Sequence, residues 1–355
     1  MNNTTKKLIP LSKDSIQLVK GLIIGKVLTI LVIGGFWLLV KQYLQPESSI
    51  RASRAADTPS ETADSSFETV SNVPIGSFAY GGSTAWAPIR QVVNSLIQAN
   101  RPELQLQYSH PQGNTPISEA AIEMLLDGEI DFAQLSRPLT KSEYALAKQK
   151  GFTLKQRQVA TDGVAVAVNP ALSVSGLTVE QLQQIYLGEI TNWNQLGGPD
   201  LAITPFSENP EDVKSTLFDG KVIDVEKIGS NVEYVYSPTE ALRKVSENQG
   251  AVYFGSARAI VPQCSVKTLK LGTSSDNLVA PYIGELVEAN QCPQKRDRLN
   301  TRAIRNGSYP LRSKLFVVTK ENNGREQQIG DAYTELLLTN EGQKAIGAAG
   351  FVPVR

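Results

Sequence analysis

Two short stretches of the sequence place hydroxyl side chains beside residues that favour a bound anion. The first, Gly81, Gly82, Ser83 and Thr84, follows a predicted strand and precedes a predicted helix. Glycine lets the backbone approach a ligand closely, and the two hydroxyls supply hydrogen-bond donors. The free N–H groups in the first turn of the following helix would add to the attraction for an anion. The ordinary alternative is that Ser83 or Thr84 only caps that helix.

Ser136, Arg137 and Pro138 repeat this arrangement at a second junction between a predicted strand and a helix. A guanidinium can bind two oxygens of an oxyanion at once, although an arginine on a loop is usually just solvated. Asp162, either a turn residue or a ligand group, precedes an apolar run at 163–168. A carboxylate accepts a hydrogen bond from the proton that hydrogenphosphate still carries, and it repels fully ionised sulfate. These residues predict a site for a tetrahedral oxyanion.

The composition disfavours several other kinds of site. The 355 residues include 35 Lys and Arg against 35 Asp and Glu, and the net charge of zero predicts no basic face for nucleic acid. The single histidine, His110, and the two cysteines, Cys264 and Cys292, are too few for a His-rich or Cys/His metal cluster. No nucleophile or acid of motif quality accompanies His110. We therefore expect no metal site, no cofactor and no catalytic residue.

Strand-like and helix-like segments alternate from residue 74 onward, which predicts an α/β fold. Two such units, with the chain passing between them, would form a cleft suited to a small ligand. The predicted strands lie at 75–80, 104–108, 132–135, 163–168, 201–206, 250–255 and 314–318, and the predicted helices lie at 89–97, 117–126, from 140, from 178, at 238–246 and at 327–338.

The N-terminal residues predict a membrane anchor. Residues 1–20 contain four lysines and are expected in the cytoplasm, because positive charge is retained there. Residues 21–44 are long enough to cross the bilayer as a transmembrane helix and signal anchor. A cleaved signal peptide is the alternative, but no small-x-small cleavage pattern follows directly. Residues 45–74 are rich in Ser, Thr, Ala, Asp and Glu and predict a flexible stalk.

Cys264 and Cys292 are consistent with a location outside the cytoplasm. They lie 28 residues apart in a stretch rich in Pro, Gly, Ser and Asn, without the C-x-x-C spacing of a redox-active pair. In an oxidising compartment they would form one disulfide bond, which would contribute about 3–4 kcal/mol on the loop-entropy model.

From about Ile75 to the C-terminus, an ordered set of motifs resembles the phosphate-type solute-binding proteins of ABC transporters. The stretch at 185–193, which ends in Ile190, Thr191, Asn192 and Trp193, is the most specific of these motifs. The others are Gly81 to Thr84 with Pro88, residues 131–138 with Glu143, and residues 162–169, 250–255, 309–311, 341–343 and 350–353.

This resemblance implies a two-lobed periplasmic-binding-protein fold, type II-like, with hinge strands that let the lobes close on a ligand. The binding domain would span 75–355, with lobe one at about 75–165 and 258–355 and lobe two at about 166–257. In this family, hydroxyls, backbone amides, an arginine and an acid hold phosphate. The matching motif positions in this sequence are Gly82, Ser83, Thr84, Ser136, Arg137 and Asp162.

One region departs from the family pattern. The family commonly has an Arg-x-x-x-Ser-Gly-Thr loop in lobe two, and here residues 206–216 contain neither the arginine nor Ser-Gly-Thr. Glu208, Glu211 and Asp212 add negative charge instead. Lys214, Ser215 and Thr216 are the expected substitutes, at the start of a helix.

The sequence therefore predicts a binding protein that captures phosphate or a similar oxyanion outside the cytoplasmic membrane. The ligand would be delivered to an ABC permease in the same membrane or reported to a membrane sensor. One alternative is a scaffold or envelope interaction protein that keeps the fold without a ligand. A second, less favoured alternative is an envelope hydrolase, which would need an activated nucleophile or a metal.

Overall fold

The computed structural model describes residues 65–111, 118–218 and 225–355. The predicted cytoplasmic segment (1–20), the membrane anchor (21–44) and most of the stalk lie outside these residues. Within the described ranges, no helix is both long and apolar enough to cross a membrane.

Twelve strands form a connected sheet system with the order β2-β1-β3-β11-β4-β8-β6-β7 along its main path. The remaining strands extend it, because β12 and β9 pair with β4, and β5 and β10 pair with β9. The strands are β1 Gly76–Gly82, β2 Leu104–Tyr108, β3 Phe132–Leu135, β4 Leu154–Val168, β5 Gly176–Thr178, β6 Thr204–Ser207, β7 Glu233–Tyr234, β8 Ala251–Ser256, β9 Lys267–Gly272, β10 Leu278–Val279, β11 Arg312–Lys320 and β12 Val352–Pro353.

Helices pack on the sheet and contribute apolar residues to the core. A π-helical turn, Arg90–Asn94, joins α1 to α2, and a second one, Val213–Leu217, continues α6. The helices are α1 Ala87–Ile89, α2 Ser95–Asn100, α3 Ser118–Asp127, α4 Lys141–Gln149, α5 Val179–Tyr186, α6 Pro210–Asp212, α7 Pro238–Glu247, α8 Ala257–Ile260, α9 Thr301–Asn306, α10 Arg325–Leu338 and α11 Asn340–Ala348.

Strand β4 connects the two lobes. Its first part, from Leu154 to Gly163, pairs with β11, and its second part, from Val164 to Val168, pairs with β8. The second part is buried throughout, as expected for a strand covered on both faces. The predicted two-lobed α/β fold is therefore confirmed, with β4 crossing from one lobe into the other.

Separate apolar clusters stabilise the two lobes. Trp86, Phe132 and Tyr333 lie in a cluster around β1, β3 and α10 in the first lobe. In the second lobe, Trp193 and Tyr186 lie in a cluster with β8 and β9. The Trp193 indole N–H donates to the carbonyl of Gly250 at 3.0 Å, so the most specific sequence motif is used in packing.

Residues 65–74 do not belong to a stalk, which corrects the C-terminal end of that prediction. Phe67 is fully buried in the first-lobe core, and its backbone N–H donates to the Glu341 carboxylate at 2.9 Å. The Arg101 guanidinium donates to the carbonyls of Phe67 and Val70. The buried side chain of Phe67 and these hydrogen bonds together fix the segment to the domain.

Two other differences follow from strand pairing. Strand β4 begins at Leu154, not at Gly163, because the polar residues before Gly163 gain their partners from the distant strand β11. Strand β9 pairs with Val166–Val168 of β4 and so joins the sheet of the second lobe, whereas the sequence assigned residues after 258 to lobe one. The predicted disulfide between Cys264 and Cys292 is confirmed.

Candidate functional site

The structure brings most of the predicted ligand residues together in one cleft. Two adjoining cavities of about 550 Å³ and about 300 Å³ share five lining residues: Ser83, Thr84, Ser136, Glu208 and Asp212. Of the other predicted residues, Arg137 and Ser215 line the larger cavity, and Asp162 and Thr216 line the smaller one. Gly82 and Lys214 line neither.

The ends of β1 and β3 form one wall of the larger cavity. We call it the hydroxyl wall, and it consists of Ser83, Thr84, Ser118, Ser136 and Arg137. Parallel strands β1 and β3 end at the same edge of the sheet, which places the two predicted junctions side by side.

Gly82 contributes to this wall indirectly. Its φ is +150°, which favours glycine, and a Cβ at this position would clash with the backbone carbonyl of Gln134 on β3. This close approach lets the backbone N–H of Ser83 donate to the same carbonyl at 2.9 Å. Gly82 therefore fixes the backbone of the first junction and lines neither cavity.

Ser83 and Thr84 differ in their surroundings. Ser83 is 7% exposed, and its Oγ accepts from the backbone N–H of Ala85 at 3.3 Å, so Ser83 is the N-cap of the 3-10 turn Thr84–Trp86. Thr84 is exposed in the cleft. Ser83 therefore caps this turn, as the alternative interpretation expected, and it also lines the hydroxyl wall.

Ser136 is fixed by two serines that the sequence analysis did not select. Its backbone N–H donates to Ser118 Oγ at 3.1 Å, and its carbonyl accepts from Ser313 Oγ at 2.6 Å. Ser118 begins α3 and Ser313 lies on β11, so both come from distant segments. No local motif marked either residue.

Arg137 is held by carboxylates on both sides of the cleft. Its guanidinium donates to the two oxygens of Glu143 at 2.9 and 2.8 Å, and its Nε lies 3.4 Å from Glu211 Oε1. Burial disfavours the charged form, but the hydrogen bonds to Glu143 and the charges of Glu143 and Glu211 outweigh it and raise the pKa of Arg137. The charged guanidinium is already paired with two carboxylates, so a bound anion would compete with Glu143 and Glu211 for its N–H groups.

Asp162 is a buried strand residue and not a turn residue. It lies in β4, is 4% exposed, and its Oδ2 accepts from Ser256 Oγ at 2.6 Å. Its Oδ1 is buried without a hydrogen-bond partner among the described residues. Burial raises the pKa of the Asp162 carboxyl to about 6, although the Ser256 hydrogen bond and the Arg258 charge oppose the rise.

The opposite side of the cleft is an acidic wall, which consists of Glu208, Asn209, Glu211 and Asp212. Asn209 caps α6, because its Oδ1 accepts from the backbone N–H of Asp212 at 2.9 Å. The cap turns the chain so that the acids on both sides of Pro210 line the cleft.

Two carboxyls of this acidic wall have raised pKa values. Burial, together with the charges of Glu208 and Glu211, raises the pKa of Asp212 to about 7. Burial also raises the pKa of Glu208, whose Oε1 accepts from the Tyr253 hydroxyl at 2.9 Å. This wall therefore favours protonated carboxyls or a nearby cation.

Of the three residues expected to replace the family loop, two line the cleft. Lys214, Ser215 and Thr216 lie in the π-helical turn after α6, and not in the first turn of a helix as predicted. Lys214 Nζ lies 3.6 Å from Glu211 Oε2, so its charge is directed to that acid. Only the two hydroxyl residues line the cleft.

Several cleft residues were not identified from the sequence. Tyr234 and Tyr236 line the larger cavity, whereas Ser256, Arg258 and Ser313 line the smaller one. None belongs to a motif with a known ligand role, and they reach the cleft only because β7, α8 and β11 pack around it.

The arrangement suits reversible binding and offers few groups for catalysis. Among the described residues, no group of three or more His, Cys, Asp or Glu side chains is placed to hold a metal ion. His110 is exposed and lines neither cavity, and the centroid of its ring lies 4.7 Å from that of the Tyr108 ring. Hydroxyl donors and one guanidinium can bind an oxyanion without forming a covalent bond to it.

Comparison with known proteins agrees with this fold and cleft. The chain is 28% identical over 275 residues to the phosphate-binding protein PstS of Staphylococcus haemolyticus, covering 76% of this chain and 79% of that protein. It is similar to the crystal structure of an ABC-type phosphate transport receptor from Vibrio cholerae, with 26% identity, a TM-score of 0.61 and coverage of 78% of this chain and 100% of that one.

A third protein supports the fold alone. A phosphate-bound structure of a phosphate ABC transporter substrate-binding protein from Clostridium perfringens, described as putative in its own name, is 22% identical with a TM-score of 0.59 and covers 79% of this chain and 100% of that one.

The relatives from Staphylococcus haemolyticus and Vibrio cholerae confirm the resemblance to phosphate-type solute-binding proteins. A family model described as a PBP superfamily domain matches residues 62–341, so this chain belongs to the PBP superfamily.

Proposed function

We propose that this protein reversibly binds inorganic phosphate or a similar tetrahedral oxyanion outside the cytoplasmic membrane, for ABC-type uptake or for sensing. It performs no chemistry on the ligand. The related proteins from Staphylococcus haemolyticus and Vibrio cholerae are named for phosphate binding and phosphate transport, which supports this ligand class.

One observation supports the proposal: the hydroxyl wall of the first lobe faces the acidic wall across a cleft, and the long strand β4 runs from the first lobe into the second. Ser83, Thr84 and Ser136 line both cavities, and Arg137 lines the larger one beside them. Hydroxyl groups and a guanidinium are the donors that oxyanions bind most readily. Micromolar binding requires about 8 kcal/mol, which a few charge-assisted hydrogen bonds in a closed cleft can supply.

Calorimetric titration of the full chain with phosphate, sulfate and molybdate tests this function. We expect saturable binding of phosphate and its loss in Arg137→Ala. Because Arg137 also stabilises the fold, Thr84→Val provides a milder test: it removes one exposed hydroxyl, keeps the shape of the side chain, and should weaken binding about tenfold.

Arg243→Ala is the matched control. Arg243 pairs with Glu247 on the exposed surface of α7, and its removal should leave phosphate binding unchanged. If none of the three anions binds at millimolar concentration, the oxyanion proposal fails and the scaffold alternative is favoured. Release of phosphate from a model ester would instead support an envelope hydrolase.

The cellular context forms part of the proposal. An uncleaved anchor at 21–44, with residues 1–20 in the cytoplasm and a stalk from residue 45 to the start of the domain, would hold the cleft near an ABC permease or a membrane sensor. The lysines before the anchor and the disulfide between Cys264 and Cys292 support an extracytoplasmic domain. Retention of the full chain in the membrane after alkaline extraction would support the anchor, whereas complete release would contradict it.

A further inference from the structure

Arg258 differs from the other cationic side chains around the cleft. Arg137 is paired with Glu143 and Glu211. Lys214 is directed to Glu211. Arg258 lines the smaller cavity, and among the described residues it has neither an ion pair nor a hydrogen bond. Its guanidinium therefore carries a charge into the cleft without a described acceptor for its N–H groups.

The Nε atom of Arg258 is buried, and none of the described residues accepts a hydrogen bond from it. A buried donor without an acceptor is costly, so an acceptor in the cavity is favoured. Asp162 Oδ1 is the complementary case, a buried acceptor without a donor at the same cavity. Burial raises the pKa of Asp162 and the charge of Arg258 opposes that rise, but the two groups form no ion pair. A hydrogenphosphate ion satisfies both, since its oxygens accept from a guanidinium and its proton donates to a carboxylate.

Arg137 and Arg258 border the same hydroxyl groups. Arg137 lines the larger cavity and Arg258 lines the smaller one, whereas three hydroxyl residues line both: Ser83, Thr84 and Ser136. An oxyanion bound to these shared hydroxyls would lie where the two cavities meet. Carboxylates already engage the first arginine, so the second one has more N–H donors to offer the ligand.

The side chain of Arg258 is fixed by packing within the protein. Its guanidinium carbon lies 5.0 Å from the centroid of the Phe351 ring, a distance typical of a cation–π contact. Its stem passes Gly350, where an added Cβ would lie 3.2 Å from Arg258 Cδ. Phe351 is itself buried in the core of the first lobe. A guanidinium held in this way loses little side-chain freedom when it binds an anion.

The backbone of Arg258 belongs to the second lobe. Helix α8 follows β8, and Ala257 and Ile260 of this helix lie in one apolar cluster with residues of that strand. The family commonly supplies an arginine from the second lobe, in the loop that residues 206–216 do not reproduce. Arg258 offers an arginine from the same lobe on a different element, and its contact with Phe351 places it where the two lobes meet.

We infer that Arg258 is an oxyanion-binding residue of this cleft and takes the part that the arginine of the missing family loop commonly has. Its N–H groups would donate to oxygens of the ion that the shared hydroxyls also bind. This inference rests on the proposed oxyanion function and assigns a further ligand residue to it. The alternative is a purely structural arginine that packs on Phe351 and moderates the charge of Asp162.

Calorimetric titration of the full chain with inorganic phosphate tests the assignment, with the wild type compared with Arg258→Gln. Glutamine remains polar but loses the charge and most of the donors. We expect the affinity to fall about 30-fold, the size expected for the loss of charge-assisted hydrogen bonds. Arg258→Lys restores the charge without the planar fork, so its affinity should return to within about tenfold of the wild type.

Thermal unfolding without phosphate separates ligand binding from a structural role. Arg258 has no described hydrogen bond to lose, so Arg258→Gln should unfold within about 3 °C of the wild type. Phosphate at one fixed concentration should then raise the unfolding temperature of the variant less than that of the wild type. A purely structural arginine predicts the reverse, with a lower unfolding temperature but an unchanged phosphate affinity of the folded protein.

Arg243→Gln is the matched control, because it makes the same chemical change on the exposed surface of the second lobe. It should keep the wild-type affinity. Binding of phosphate to Arg258→Gln within about threefold of the wild type would overturn the inference and leave the oxyanion function intact. Equal affinities of Arg258→Lys and Arg258→Gln would also overturn it, because the charge would then contribute nothing. If the wild-type chain binds no phosphate, the oxyanion function fails, and the inference fails with it.

Discussion

The two walls of the cleft are built on different principles. In the hydroxyl wall, backbone geometry places Ser83 and Ser136 at the ends of two parallel strands, and hydrogen bonds within the lobe hold them. In the acidic wall, a capped turn after β6 places Glu208 and Asp212 in the cleft, where burial raises the pKa of both carboxyls and the charge of Glu208 raises that of Asp212 further. The hydroxyl wall follows the family motifs, whereas the acidic wall replaces the loop that the family commonly uses.

We expect the hydroxyl wall to bind oxyanions in general and the acidic wall to select among them. The hydroxyl groups of the first wall can bind many tetrahedral anions, because they adjust to the oxygens they meet. A wall of carboxyls repels most of these anions and admits only ligands that bring a proton or a cation. Arg137 lies where the walls meet, because its guanidinium contacts Glu143 in the first lobe and Glu211 across the cleft.

Removing Arg137 should have the largest effect on stability. We expect Arg137→Ala to lower the free energy of unfolding by about 3–5 kcal/mol, because it leaves the Glu143 carboxylate buried without its partner. Denaturant unfolding measures this change. The double variant Arg137→Met with Glu143→Gln should recover most of the loss, since Gln retains the capping interaction of α4. Equal instability of the single and double variants would contradict the role of an uncompensated charge.

The backbone geometry of the hydroxyl wall can be tested at Gly82. We expect Gly82→Ala to destabilise the protein by about 2–4 kcal/mol, because the added Cβ meets the carbonyl of Gln134. Gly128→Ala is the control, since Gly128 also has a positive φ of 80° but nothing lies within 4 Å of its added Cβ. That variant should lose only about 1 kcal/mol. Similar losses in both variants would show that the close approach of β1 and β3 matters little.

Two buried carboxyls of the cleft, Asp212 in the acidic wall and Asp162 in β4, predict a dependence of stability on pH. The pKa of Asp212 is about 7 and that of Asp162 is about 6, both above their ordinary value of 3.8. Between about pH 4 and pH 7 the native state therefore binds more protons than the unfolded state, so stability falls as pH rises through this window and levels off above it. Asp212→Asn should remove about 1–2 kcal/mol of this decline in thermal or denaturant unfolding. An unchanged pH profile would contradict the raised pKa of Asp212.

The smallest expected effect concerns the affinity for inorganic phosphate. Lowering the pH from 8 to 6 should tighten phosphate binding in the wild-type chain more than in Asp212→Asn, with a difference of about three- to tenfold. Phosphate itself titrates in this range, but its ionisation is common to both proteins, so the difference reports the Asp212 carboxyl. Parallel pH profiles for the two proteins would show that the acidic wall does not oppose the anion.

Local sequence determined the two strand-to-helix junctions and the departure of lobe two from the family pattern. Gly82, Ser83, Thr84, Ser136 and Arg137 were selected because glycine, hydroxyl and arginine residues at such junctions follow short-range rules of turns and caps. The absence of the Ser-Gly-Thr loop was equally visible, since it needs only the order of residues 206–216. The pairing of Cys264 with Cys292 follows from there being two cysteines and an oxidising compartment.

Tertiary structure alone decided which charges meet. Glu211 reaches Arg137 from the other lobe, Ser313 reaches Ser136 from β11, and Asp162 becomes buried because β4 extends back to Leu154 along β11. Each of these contacts joins segments far apart in the chain, so no local pattern encodes it. The protonation state of a carboxyl depends on its burial and its charged neighbours, and both are set only when the two lobes are assembled.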